Sequence, residues 1–125
     1  MRQARWTEHG VEVAEVAPPP LEADWVRLRV LACGICGTDL HLWRRELPAP
    51  PGIAPGHEIA GTPLSGPRGL DAALYAVEPM EVCGVCAFCV AGRRQLCEKL
   101  SIIGVMRSGG IADFGDVPAY ALHRV

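Results

Sequence analysis

The sequence has no block of lysine and arginine, which removes the electrostatic footprint expected of a protein that binds nucleic acid or an anionic membrane. Its 12 basic and 14 acidic residues leave a formal charge of -2, and the pairs Arg44-Arg45 and Arg93-Arg94 read as solvated. No apolar run approaches the roughly 18 residues needed to span a bilayer. The opening MRQARWTEHG also lacks the apolar core of a secretory signal. The expectation is a soluble, cytoplasmic protein that binds neither nucleic acid nor membrane. Heptads, internal repeats and low-complexity tails are missing too, so a single compact domain over residues 1–125 is expected. Long stretches free of glycine and proline are scarce: 14 glycines and 11 prolines are spread over most of the chain. That excludes long helices and points to short strands joined by turns.

What is present alternates. Val11, Val13 and Val16 open one apolar/polar stretch, and Val26, Leu28 and Val30 alternate with Arg27 and Arg29. Both read as strands with one buried face, joined by the stiff Pro18-Pro19-Pro20. Thr38 to Arg45 is expected to form one or two helical turns, and Leu47 to Pro55, with four prolines, to be irregular. Ile59 to Gly61, Leu74 to Val77, Ile102 to Met106, Ile111 to Val117 and Ala119 to His123 are further strand candidates. A Pro/Gly-rich loop is expected from Thr62 to Gly69, and a short helix from Phe88 to Ala91.

Six cysteines in a reducing cytosol indicate metal ligation or redox chemistry rather than disulfides. Four of them, Cys83, Cys86, Cys89 and Cys97, follow the order C-x2-C-x2-C-x7-C in CGVCAFCVAGRRQLC. Thiolates at this spacing can complete a tetrahedral all-sulfur shell, which suits zinc and, having no open position, would be structural. An iron-sulfur cluster is the rival occupant. The other two lie in CGICGTDLH, residues 33 to 41. Cys33 and Cys36 read as a redox pair, as half of a zinc site, or as one ligand with an accidental neighbour. A closed site of Cys33, Cys36, His41 and His57 is one zinc reading. The other uses Cys36 and His57 as ligands and leaves Thr38 and His41 free for proton transfer. Spacing alone does not choose between them. His9 and His123 match no motif and read as surface residues, and Trp43 as a core or rim residue.

CGICGTDLH, then PGHEIAG at Pro55 to Gly61, EPMEVCGVCAFCVAGRRQLCE and GGIADF together resemble the catalytic domain of zinc-dependent medium-chain alcohol dehydrogenases, with threonine and polyol dehydrogenases sharing the pattern. The resemblance implies a mainly β, GroES-like fold, a twisted and partly open barrel with short helices and a four-cysteine zinc lobe at about residues 79–100. It implies that Cys36 and His57 ligate a catalytic zinc with Glu58 as a neighbouring or alternating ligand, and that Cys83, Cys86, Cys89 and Cys97 hold a structural zinc. Cys33 is then no ligand. Thr38 would hydrogen-bond the substrate alcohol, Asp39 would orient the His57 imidazole, and His41 would pass the proton to solvent. An open zinc position lowers the pKa of an alcohol, and hydride then goes to NAD or NADP.

No G-x-G-x-x-G opens a helix after a strand here, and Gly109-Gly110 is only a turn pair. The cofactor is therefore expected on a Rossmann domain or subunit outside this sequence, making the chain a fragment, a truncated product or half of a split enzyme. The family's third catalytic zinc ligand lies past the matched region, so weak or absent metal is expected at Cys36, His57 and Glu58 and firm metal among the four cysteines. The segment TPLSGPRGLDAAL lacks the family's G-D-x-V turn, and a reshaped barrel edge is expected there. The partners implied are a small alcohol or carbonyl substrate, a dinucleotide-binding domain, and a second copy of the chain. The rival from another class is a non-catalytic, zinc-stabilised module that binds a protein.

Overall fold

Val26 and Leu28 are fully buried, and the strand that carries them is the spine of the molecule. A computed structural model describes all residues 1–125. In chain order the elements are β1 (Arg2–Thr7), β2 (Gly10–Glu15), β3 (Trp25–Gly34), α1 (Gly37–Trp43), β4 (Glu58–Ser65), β5 (Tyr75–Val77), β6 (Met80–Glu81), α2 (Ala87–Val90), β7 (Ser101–Ile102), β8 (Phe114–Pro118) and β9 (Leu122–Arg124). A five-stranded antiparallel sheet runs β8-β3-β4-β5-β9, and β1-β2 and β6-β7 form separate ribbons. The chain is therefore mainly β, with an open sheet, as expected. No helix is long and apolar enough to cross a membrane.

The core gathers Val26, Leu28, Ile59, Val77, Ile103, Val117 and Ala121. Alternation explains the β3 contribution, since every second side chain of a strand faces one way. The pairing of β3 with β4 slips between Arg27 and Leu28 and again between Val30 and Ala32. Leu31, skipped at the second slip, is 59% exposed. Such bulges bend a strand and curl a sheet towards a barrel.

Several sequence expectations are corrected. β2 forms, but Val11 and Val13 point outwards, because β2 is an outer strand paired only with β1. The inward residues of that ribbon are Ala4 and Trp6 on β1, a strand the alternation rule did not reveal. The strand expected over 102–106 stops at Ile102, where Gly104, at φ 82°, opens a turn closed by the Met106 N–H on the Ile102 carbonyl at 2.7 Å. Residues 119–121 form a 3-10 turn before β9. The loop expected from Thr62 is strand as far as Ser65, while 111–113 precede β8 and hydrogen-bond to β1 instead. β4 meets β5 only at Ala60↔Ala76 and Gly61↔Tyr75. The loop between them is held by the Tyr75 hydroxyl donating to Asp71 at 2.7 Å and by Arg124 on the same carboxylate.

Candidate metal centres and proton path

The four-cysteine lobe hangs between β6 and β7, whose pairing at Met80↔Ile102 and Glu81↔Ser101 closes its base. Cys83 follows β6, Cys86 caps α2, Cys89 sits inside it, and Cys97 follows the 3-10 turn Arg94–Leu96. Gly84 and Gly92, at φ 72° and 75°, make the two reversals that fold the segment back on itself. The four sulfurs lie within 4.8 Å of one another. Backbone N–H groups point at them: Cys86 to the Cys83 sulfur at 3.4 Å, and Cys83 and Lys99 to the Cys97 sulfur at 3.3 Å each. N–H groups of Cys89 and Glu98 pull the Cys86 thiol down to about 6, and burial pushes Cys89 up to about 12. Four sulfurs this close, ringed by donors that favour thiolate, fit a single cation at their centre. Cys97 is the one buried residue between β6 and β7, so the lobe has no apolar core of its own.

The second cluster joins the N-terminus of α1 to the start of β4. Cys36, His57 and Glu58 bring one donor atom each within 4.8 Å. Cys33 and His41 do not join them. The Cys33 sulfur packs against Gly56 and Gly110, where added Cβ atoms would lie 2.5 and 3.1 Å from it, and burial pushes its thiol pKa up. That disfavours the redox-pair reading, which needs a thiol of lowered pKa. Gly34 has no Cβ, and one there would collide with the Glu58 carboxylate.

Asp39 ties the cluster together from behind. It is 5% exposed; its Oδ2 accepts the Cys36 N–H at 2.9 Å, and its Oδ1 faces His57 Nδ1 at 3.8 Å. Oδ1 and Nδ1 are both buried without another partner. A His57 Nδ1–H turned towards this carboxylate would give both atoms a partner and leave Nε2 free to meet a metal, the arrangement common behind histidine ligands. The donor set fits a zinc ion with an open position. Thr38 Oγ1 stands 3.9 Å from the Cys36 sulfur. His41, on the exposed side of α1, pairs its Nδ1 with the Glu46 carboxylate. Glu46 was not legible as a site residue, because it lies beyond the helix after a turn with no glycine.

His57 is delivered by a chain crossing that explains GGIADF. Gly109, Gly110 and Ile111 donate backbone N–H groups to the carbonyls of Ala54, Gly56 and Pro55 at 2.8, 2.9 and 3.0 Å. A Cβ on Gly109 would overlap the Gly56 carbonyl. Gly109→Ala is therefore expected to destabilise the chain by roughly 1–3 kcal/mol, the cost of overpacking a fixed contact. Urea unfolding measures it, and an unchanged midpoint would refute this close-approach role.

The profile of the alcohol dehydrogenase GroES-like domain matches residues 22–125. This chain belongs to that family. The L-threonine 3-dehydrogenase of Pyrococcus furiosus is 37% identical over 121 residues, covering 90% of this chain and 34% of the relative. That of Streptomyces coelicolor is 35% identical over 129 residues, covering 94% and 37%. Galactitol-1-phosphate dehydrogenase from Escherichia coli superposes with a TM-score of 0.89 at 29% identity, over 100% of this chain and 38% of that one. A cobalt- and zinc-bound thermostable alcohol dehydrogenase from Pyrobaculum aerophilum gives 0.89 at 28% identity, over 100% and 41%. The GroES-like domain thus spans about a third of the length of the curated relatives it matches.

Proposed function

We propose that this GroES-like chain is the catalytic domain of a zinc-dependent dehydrogenase that oxidises a small alcohol, or reduces a carbonyl, with NAD or NADP held by a separate domain or subunit. The observation that carries the reading is the convergence of Cys36, His57 and Glu58, with Asp39 braced behind the imidazole and Thr38 beside the thiolate. The relatives are dehydrogenases, which favours catalysis over a non-catalytic module. Cys36 and His57 hold the catalytic zinc, and Glu58 is its neighbouring or alternating ligand. When bound there, zinc supplies the Lewis acidity that makes an alcohol hydroxyl acidic near neutral pH. Thr38 hydrogen-bonds the substrate oxygen and relays its proton, giving up its own hydroxyl proton towards His41 as it accepts the substrate's, and His41 passes a proton to solvent. Cys83, Cys86, Cys89 and Cys97 hold a second zinc whose closed shell leaves no place for substrate.

Asp39 is expected to matter twice. Asp39→Ala removes the acceptor of the Cys36 N–H, a loss of about 1–2 kcal/mol by analogy with helix caps. It also frees the His57 ring, and losing the carboxylate behind a ligating histidine is expected to weaken zinc binding by roughly 10–100-fold. Competition with a chromophoric chelator reads the second effect, and unchanged affinity would sink the role given to Asp39.

The test of the function is a chimera in which residues 1–125 replace the matching part of the Pyrococcus furiosus L-threonine 3-dehydrogenase. Alcohol-dependent reduction of NAD or NADP that requires zinc is expected. A folded chimera carrying both metals that turns over no member of an alcohol panel would contradict the reading.

A further inference from the structure

Thr38 and His41 are three residues apart on α1 and so share a face, but only His41 has a carboxylate against it. The chain reverses after α1 through a left-handed residue, Arg45, at φ 60°. The Glu46 N–H donates to the His41 carbonyl at 3.0 Å and the Arg45 N–H to the Leu42 carbonyl at 3.1 Å. These are the two bonds of a Schellman closure, in which the left-handed position is usually glycine. An arginine accepts the conformation less readily because its Cβ crowds the following carbonyl. The Arg45 guanidinium reaches the Glu8 carbonyl and ties the reversal to the turn between β1 and β2. Glu46 is thereby anchored by its own backbone to the residue whose side chain it meets, Nδ1 of His41 against Oε2 of Glu46.

We propose that Glu46 is a positioning residue that holds His41 in the Nδ1–H tautomer, leaving the Nε2 lone pair as the site that takes the proton. This rests on the dehydrogenase reading above, in which His41 is the exit of the proton path. The carboxylate accepts the Nδ1–H, so a neutral His41 must carry its acceptor on the opposite nitrogen. Both side chains are about half exposed, at 55% and 49%, so water competes with the pair. Its effect is a bias in a population, supported by the backbone closure that keeps Glu46 near.

The test is nuclear magnetic resonance of the 15N-labelled, zinc-loaded chain at about pH 9, where unperturbed imidazoles are neutral. Long-range correlations within each ring identify the protonated nitrogen. Of the chain's four histidines, His9 meets no carboxylate and serves as the internal control, whereas His57 faces Asp39 and His123 faces Glu78. Nδ1–H is expected to predominate at His41 in the wild type, with the tautomer ratio falling about fivefold in Glu46→Ala, the scale of one net hydrogen bond. Predominance of Nε2–H in the wild type overturns the proposal, as does an unchanged ratio in the variant. The wild-type measurement needs no substitution, and Glu46→Met, which keeps the stem and removes the acceptor, replaces the alanine variant if that one fails to fold. Neither cofactor nor substrate is involved. Loss of the dehydrogenase reading would appear as a chimera without turnover, while loss of this proposal would appear as the wrong tautomer.

Discussion

Cys97→Ser should unfold the lobe between β6 and β7 and lower the melting temperature of the zinc-loaded chain by roughly 15 °C or more, the scale of about 4 kcal/mol in a domain of this size. Between β6 and β7 no side chain but Cys97 is buried, and Val85 and Val90 are 80% and 76% exposed. A segment that buries so little apolar surface cannot offset the entropy of ordering its backbone. On the reading proposed above, a metal held by the four thiolates of Cys83, Cys86, Cys89 and Cys97 supplies what packing does not. Serine keeps the size of the side chain but replaces a soft thiolate with a hydroxyl that zinc binds poorly. Hydrogen exchange should rise across residues 82–101 and change less at β3 and β4, whose core does not include the lobe. A melting temperature within about 3 °C of the wild type, with zinc content unaltered, would show that the lobe holds itself together without its metal.

In the chimera, Thr38→Val should lower kcat by about 100-fold or more, the range of a lost general acid-base group, and Thr38→Ser should restore most of it. Valine matches threonine in shape and removes only the hydroxyl, so the comparison isolates the proton path. Thr38 is in the first turn of α1, and that turn is fixed from both ends. Cys36 caps it with its N–H on Asp39, while Asp39 reaches across to His57. A hydroxyl 3.9 Å from the Cys36 sulfur is thereby held beside the place a metal would occupy. A valine variant with kcat within threefold of the wild type would remove Thr38 from the proton path.

The strands legible in the sequence were those whose inward face is apolar and whose outward face is charged. Val26 and Leu28 between arginines make such a strand, and burial follows the alternation. β1 was hidden because RQARWT carries two arginines and buries Gln3, Ala4 and Trp6 in an order no period of two predicts. Val11 and Val13 misled in the opposite direction, since alternation reports that two faces differ but not which one is covered. Gly104 ended a strand that local hydrophobicity alone would have continued.

The clustering of the candidate site residues was legible because part of it is local. Cys83, Cys86 and Cys89 are brought together by one turn and one short helix, and Cys36 and Asp39 by one helix start. What joins distant segments was not. Gly109 and Gly110 read as a turn pair, yet their lack of side chains lets the chain cross against Gly56 beside His57. Glu46 was invisible because Arg45 adopts a conformation that sequence rules reserve for glycine or asparagine.

On the reading proposed above, this chain builds two unlike zinc sites, one closed by four sulfurs and one open at Cys36, His57 and Glu58. Zinc stoichiometry of the purified chain, in excess metal and again after exhaustive dialysis, tests it most directly. One zinc is expected to survive dialysis, and a second to bind in excess metal, to be lost on dialysis because only three side chains of this chain converge on it, and not to bind to Cys36→Ser. A chain that takes up no second zinc, or whose second zinc is indifferent to Cys36→Ser, would contradict it.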